Sequence, residues 1–533
     1  MSPLTVLRLA AANNRSDTVR IALTAVGAML GTTAVLAAAT VLSIVTPKGL
    51  RVSGNLAMIE KAPGIHVTDE SYVLPYSNGL LNEAGLRPGV AFALLLLTIP
   101  VLAFVAQCSK LGAPARDRRL AAIRMAGGTP RQVVWVAAVE TGLAAIIGVG
   151  LGFGGYFLGR HLIDNPDARG TRPLPTDVLP AVPWMVGVAI AVPLLVTLLA
   201  VGTLRHVAIG PLGVVRGSRA ARPGRAPGVL LALGIGAAAL LEPVSRYLDR
   251  RDTAPQVVGY ALAALMFVAV LLVSFGVVTG TGWITHAVGR LLHRFARRPT
   301  GLLAGRRMMA DPWSGSRTLA AMLVALVIGA FAAGIHAVTL TSSRADQLSF
   351  QRGAEQRGEP YLGDDTSFYD RAYQLIGYAA VVAVVIAAAG LLVALADSIA
   401  SRRRTLSALT ASGTPRGVLA RATAWQVLAP VLPAVLLAVS AGVALPRLVF
   451  REVTSHGGGY CQPAPGDPVD ACRDQAYFEA HGVTDPTVTL AVPVPWEPLA
   501  LLVGGALGAT IFITLIGLLF LRMSTMVSEL RTT

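Results

Sequence analysis

Residues 116–141 read Arg116-Asp117-Arg118-Arg119-Leu120-Ala121-Ala122-Ile123-Arg124-Met125-Ala126-Gly127-Gly128-Thr129-Pro130-Arg131-Gln132-Val133-Val134-Trp135-Val136-Ala137-Ala138-Val139-Glu140-Thr141. The stretch follows one long apolar run and opens directly into the next. An altered copy begins at Ser401, where Arg402-Arg403-Arg404 precede a short helix-like segment and Gly413-Thr414-Pro415-Arg416. Set on Gly128-Thr129-Pro130-Arg131, the copy is displaced by 285 residues and also matches at Arg118/Arg403, Arg119/Arg404 and Ala126/Ala411. A short basic helix, a turn and an apolar run have been used twice.

The surrounding composition says what solvent the runs meet. Of 533 residues, 54% are hydrophobic and only 14% charged, and the mean hydropathy is +0.62. A soluble chain would carry about a quarter charged residues. The apolar residues gather in runs of about 20, the length that crosses a hydrocarbon core of about 30 Å, whereas a transmembrane barrel would show short alternating segments. The class expected is an all-α polytopic membrane protein.

Ten spans are expected, at Ile21–Val45, Pro88–Gln107, Val133–Leu158, Pro183–Val201, Pro227–Leu241, Val257–Ile284, Thr318–Leu340, Tyr373–Leu395, Val418–Leu445 and Val494–Leu521. The fifth is short, ending at Glu242. It is retained because losing it would put the two basic turns on opposite sides. With both termini inside, the cytoplasmic segments hold 27 Lys and Arg against five acids and the outer ones 17 against 22, with Arg421 just inside the ninth span. That asymmetry is the positive-inside pattern, so the net charge of +16 marks orientation and not nucleic-acid binding. No basic stretch is interleaved with aromatics as in a single-strand binder. The expected layout is one four-helix repeat over 1–220, a connecting helix pair over 221–299 and a second four-helix repeat over 300–533. An even number of spans separates the repeats, which gives them parallel topology.

The outer loops 46–87 and 446–493 are the largest, and neither is large enough for a substantial folded domain. Cys461 and Cys472 share the later one, and a disulfide between them suits an oxidising exterior; two free thiols are the alternative. Cys108 is the third cysteine. No His or Cys spacing suggests a metal. No Gly-x-x-x-x-Gly-Lys-Ser/Thr phosphate loop occurs, and no convergent catalytic set stands out, so enzymatic activity is not expected of this chain. Gly148/Gly152 and Gly150/Gly154 in the third span, and Gly504/Gly508 in the tenth, read as small-residue pairs for close packing within the chain, with homodimerisation as the alternative.

These residues resemble the FtsX-like permease family of ABC transporters. The family's basic helix, Leu-Arg-x-x-Gly-Ala-Thr-type turn and following intramembrane Glu are matched by Ile123 to Thr129 and by Glu140. Pro211-Leu212-Gly213-Val214-Val215-Arg216 resembles the family's tail after its fourth span, and Leu530-Arg531 sits correspondingly at the C-terminus. The ten-span duplicated layout is similar to the Bce-type arrangement, without the large extracellular domain. The second repeat departs at Leu409 and Ser412, and it lacks the Glu near Trp425–Gln426.

The resemblance implies a permease subunit worked by two copies of a cytoplasmic ABC ATPase. ATP and Mg would be bound by that partner, with no cofactor in this chain. The expected docking helices carry Arg116, Arg118, Arg119, Leu120, Ile123 and Arg124 in one copy and Arg402, Arg403, Arg404, Leu406 and Leu409 in the other. Leu120 with Ile123, and Leu406 with Leu409, fall three apart and form an apolar ridge beside an Arg fork. The alternative is that these arginines only face lipid phosphates. Stiff corners are expected at Gly127, Gly128, Thr129, Pro130 and Arg131, and at Gly413, Thr414, Pro415 and Arg416. Glu140, a carboxylate inside a span, is a functional candidate by cost alone. A structural or gating link is the reading, with substrate contact and proton coupling as alternatives, and no intramembrane partner for it is apparent in the sequence.

The function expected is export or extraction of an amphiphile (drug, peptide antibiotic or lipid) at a bacterial cell membrane, with both termini cytoplasmic. The alternative is a mechanotransmitting regulator that controls an extracellular partner and moves no solute.

Overall fold

The apolar runs form helices because a backbone in lipid must satisfy its own hydrogen bonds. A computed structural model describes residues 15–45, 50–53, 56–62, 65–68, 75–76, 79–82, 87–109, 119, 121–166, 171–208, 224, 226–249, 255–358, 367–401, 412–455, 459–461, 477 and 482–524. The helices are α1 (Arg15–Leu42), α2 (Arg87–Cys108), α3 (Pro130–Ile163), α4 (Val182–Ala208), α5 (Ala226–Ala239), α6 (Leu241–Asp249), α7 (Pro255–Phe295), α8 (Pro299–Ala310), α9 (Trp313–Arg357), α10 (Ser367–Ser401), α11 (Arg416–Val449) and α12 (Trp496–Ser524), besides a single turn at Gly79–Asn82.

Among the described residues, nine helical stretches are long and apolar enough to cross a membrane, and a shorter apolar stretch, Ala380–Ala396, lies within α10 where the eighth span was expected. The fifth expected span is the start of a longer one, Ala226–Leu248, broken at Leu240 between α5 and α6. The seventh span does not end with its apolar residues. α9 continues to Arg357, 45 residues in all, and stops where Gly358 turns left-handed at φ 69°. At 1.5 Å per residue it is about 68 Å long, more than twice the hydrocarbon thickness.

Two of the loops between spans carry small sheets that the sequence reading did not foresee. β1 (Leu50–Ser53), β2 (Leu56–Ala62) and β3 (Ile65–Thr68) form an antiparallel sheet in the first loop. In the later loop β4 (Glu452–Ser455) pairs with β7 (Val488–Ala491), and β5 (Gly459–Cys461) with β6 (Gly482–Thr484), both antiparallel. The β4–β7 ribbon lies against α9. Ser349 on the outer extension of α9 donates to the Pro486 carbonyl (2.7 Å), so the helix beyond the last apolar turn is held by the loop. Cys461 lies in β5, and its expected partner Cys472 is outside the described residues.

The helices pack as two groups. α1 lies against α2 and α3, and α3 against α4; α9 lies likewise against α10 and α11, and α11 against α12. The α5–α7 segment sits on the second group, where Val270, Val273 and Val277 share a core with Met322, Leu326, Leu391 and Leu445. The first group has its own core around Ala28, Val101, Phe104, Val105 and Ala145, which Ile386 of α10 joins. The seam between the groups is thus α2, which packs on both α10 and α9, with Leu96 in the second core and Phe92 edge-on to Phe267 of α7. There a Cβ at Gly390 would collide with the Gln107 side chain and lie 3.4 Å from Phe104.

Within the first group, glycine sets the distance between α1 and α3. A Cβ at Gly148 would meet Ala25 and Ala28, and one at Gly152 would lie 2.7 Å from the Thr32 Cβ. Gly150, Gly154, Gly504 and Gly508 have open space around a built Cβ, which corrects the expectation that all three pairs pack inside the chain. Leu at Gly148 or Gly152 should therefore lower the melting temperature in detergent, by an amount equivalent to about 1–3 kcal/mol of overpacking. Leu at Gly150 or Gly154 should leave it unchanged; equal effects at all four would refute this packing.

Candidate coupling site

Each turn is built around one left-handed glycine. In the first copy the backbone helix runs through Arg124 and closes with Gly127 N–H bonded to the Arg124 carbonyl (3.0 Å) and Gly128 N–H to the Ile123 carbonyl (3.0 Å). Gly127 sits at φ 89°, where a Cβ would cost about 1–2 kcal/mol. Gly128 is required for a different reason: a Cβ there would lie 2.8 Å from the Ile123 carbonyl oxygen and 3.0 Å from its side chain. α3 then starts at once. Thr129 caps it, its hydroxyl accepting from Gln132 N–H (3.3 Å) while the Gln132 side chain accepts from Thr129 N–H (3.0 Å). Pro130 occupies the first helical position, where its missing N–H costs nothing. The reciprocal cap was legible in Thr-x-x-Gln.

The second turn repeats the geometry but not the register expected from sequence. Its left-handed residue is Gly413, at φ 87°, and α11 begins at Arg416 with Pro415 as the cap residue. Gly413 therefore corresponds to Gly127, not Gly128, and the displacement of the folded turns is 286. The cause is Ser412. Where the first copy has two successive glycines, the second has one, and the left-handed position goes to the residue that tolerates it. Pro415 shows no side-chain cap bond, so the second helix start lacks the reciprocal cap of the first.

Of the two expected apolar ridges, only Ile123 lies among the described residues. Ile123 is half-buried against the turn and Met125 is 84% exposed. Arg119 and Arg124 are half-buried, while Arg131 is exposed on the first turn of α3. Arg116, Arg118 and Leu120 of the first copy, and Arg402, Arg403, Arg404, Leu406 and Leu409 of the second, lie outside the described residues, as do Pro211–Arg216 and Leu530–Arg531. Thr414 is half-buried and Arg416 opens α11.

Eleven residues into α3 the expected lone carboxylate has a partner. Glu140 accepts a hydrogen bond from the guanidinium of Arg20 on α1, in an ion pair whose side chains are each 4% exposed. The expectation of no intramembrane partner is corrected. The carboxylate is conspicuous inside an apolar run, but Arg20 is 120 residues away and reads equally well as a positive-inside charge. In the second copy the folded register puts Gln426, neutral, where Glu140 stands. The buried pair belongs to one half alone.

The other end of the first group is closed by polar contacts that sequence reasoning missed. Arg87 donates to the carbonyls of Leu81 (2.7 Å), Ile44 (2.8 Å) and Asn82 (3.1 Å). Arg160 donates to the carbonyls of Thr176 and Val178. Tyr76 donates to Asp177 (3.0 Å), and burial, followed by the Asp177 bond, pushes the Tyr76 phenol well above its usual range. Asp164 accepts from Thr176 (2.7 Å) and Arg172 (3.0 Å); the Thr176 bond first, then Arg172, holds its carboxyl below the usual range. Tyr76 and Asp177 come from loops 46–87 and 164–181, and Arg172 N–H donates to the Pro75 carbonyl (2.9 Å), so these contacts tie one loop to the other.

Because a buried charge without its partner is costlier than no charge at all, Glu140→Gln and Arg20→Met should each destabilise the first group by about 3–5 kcal/mol. The double variant Arg20→Met/Glu140→Leu should recover most of that loss in a thermal scan; additive losses would refute the pairing. At the turns, Gly127→Ala and Gly413→Ala should each cost about 1–2 kcal/mol, more than Ser412→Ala. A loss at Ser412 instead of Gly413 would restore the 285 register.

A family model described as FtsX-like permease C-terminal matches residues 90–209 and 377–526, just over half of the chain. Each matched segment holds three long helices, α2–α4 and α10–α12, with its own turn. Neither a curated protein nor a solved structure matches the chain.

Proposed function

Because the chain belongs to the FtsX-like permease family, and is therefore a multi-pass membrane protein of the ABC-permease type or a close relative, we propose that it is the transmembrane subunit of an ABC transporter that exports or extracts an amphiphile. Two copies of a cytoplasmic ATPase bind beneath it, one on each basic segment, and supply the ATP and Mg that this chain has no loop to hold. Both termini are cytoplasmic, and the membrane is a bacterial plasma membrane. The single observation that supports this reading best is the pair of left-handed turns, each joined without a linker to a long helix.

The chain's own residues convert the stroke. As the two ATPases close, the basic segments approach each other. Thr129, Gln132 and Pro130 fix the angle between the first segment and α3, so displacement enters the helix without slack. Arg20 and Glu140, with Gly148 and Gly152 packed on α1, make α3 carry α1 with it. The movement is then taken up along α2, the helix through which the two groups meet. An amphiphile in the outer leaflet is displaced when the outer ends change their spacing.

A second reading has one observation in its favour. The extension of α9 beyond its apolar residues, held by the β4–β7 ribbon, could carry the same stroke to an extracellular partner without moving a solute.

Reconstituted with its ATPase in vesicles, the wild-type chain should clear a fluorescent amphiphile in an ATP-dependent manner. Reversing charge at Arg118, Arg119, Arg403 and Arg404 together should abolish clearance while insertion and ATP hydrolysis by the partner persist. Clearance unchanged in that variant would remove the docking assignment; hydrolysis with no movement of any amphiphile in the wild type would favour the signalling reading.

A further inference from the structure

At the end of α7 the surface that faces lipid turns basic without changing face. Phe275, Trp283, Arg290 and Arg294 are separated by eight, seven and four residues, a spacing that keeps them on one side of a helix. All four are exposed. Phe275 is apolar, Trp283 is 52% exposed and donates its indole N–H to the Gly224 carbonyl (3.0 Å), and Arg290 follows about 10 Å further along the axis. Hydrocarbon, interface and headgroup are met in that order, and Trp is the residue that prefers the boundary.

The chain then reverses. Ala296-Arg297-Arg298 lead into α8, which returns along α7 so closely that a Cβ at Gly305 would lie 2.8 Å from the Gly289 carbonyl oxygen and 3.0 Å from His293 N. This brings Arg306 level with Arg290. Arg290, Arg294, Arg297, Arg298 and Arg306 are all exposed, and among the described residues none is in an ion pair with a carboxylate. The sequence contains no Asp or Glu between Asp252 and Asp311. Beside the arginines stand Leu291, Phe295 and Leu302, with Phe295 68% exposed and the Arg294 guanidinium 5.9 Å from its ring.

We propose that this α7–α8 hairpin is a seat for the phosphate groups of anionic phospholipids. Arginine forks bind phosphate bidentately, and the neighbouring apolar side chains enter the acyl boundary, as amphipathic basic helices do. A water-facing protein partner would not need the basic stripe to continue a lipid-facing one. The α8 helix also packs on α11, the helix that begins at the second turn, so the seat steadies the base of that helix. The inference does not rest on the transport reading.

The test uses the full chain purified in detergent, titrated with short-chain phosphatidylglycerol or phosphatidylcholine and followed by native mass spectrometry. The wild type should hold phosphatidylglycerol at least about tenfold more tightly, at roughly fivefold per surface arginine before saturation. Arg→Gln at all five positions should reduce that preference to near unity, and Arg→Lys at the same positions should restore most of it. Should the fivefold Gln variant fail to insert, Arg290→Gln/Arg294→Gln carries the same test, with a loss of severalfold. A wild type without preference, or a Gln variant that keeps it, overturns the proposal. So does a Gln variant that keeps its lipid preference but no longer co-purifies with an ATPase, which would make the hairpin a protein contact instead.

Discussion

Arg20 and Glu140 meet where neither can reach bulk water, and that single pairing fixes how α1 and α3 can move. Each charge alone in such surroundings costs several kcal/mol. Sliding α3 by one turn along α1 would break that pair, which favours one register of the two helices. Gly148 and Gly152 make the same demand through shape, since the backbones approach too closely for any Cβ between them. Below the pair lies a turn whose angle is held by a reciprocal cap. The result is a two-helix body with a stiff handle at its base.

The second half of the chain reaches a similar arrangement by other means. α9 and α11 approach through Gly442, whose Cβ would lie 2.9 Å from that of Ala330, and Gln426 stands where the first half has its carboxylate. α9 is extended outward and braced by a ribbon of strands, whereas α1 ends at Leu42. The α5–α7 segment shares the second core only. Duplication supplied two handles, and later divergence made one half electrostatically locked and the other longer and more heavily packed.

Much of this was legible in the sequence because the membrane imposes its rule locally. Any run of about 20 apolar residues must form a helix, and nine such spans, with the shorter apolar stretch Ala380–Ala396, lie where the runs are among the described residues. The rule says nothing about where a helix stops once it leaves lipid. Residues 341–357 are polar, yet Ala345 and Ser349 are buried and the stop signal is Gly358, well past the last apolar turn. The turns show a different gap. Identity aligned Gly-Thr-Pro-Arg on itself, whereas the backbone aligned the residues able to take a left-handed φ, and Ser412 forced those two alignments one residue apart. Glu140 announced itself by its surroundings; Arg20 could not, because a basic residue before a span needs no partner to explain it. The outer contacts of Arg87, Arg160 and Asp164 depend on loops meeting in space, which no spacing within either loop encodes.

The account stands or falls on whether the two handles move toward each other. Spin labels placed at Met125 and Ser412, both exposed beside the left-handed glycines, would report the distance between the turns in the complex with its ATPase. Pulsed electron resonance should show that distance shorten when ATP is bound and lengthen again after hydrolysis, with the Arg20→Met/Glu140→Leu chain giving the same change at the base. A distance that does not respond to nucleotide would contradict the proposal that these turns receive the stroke.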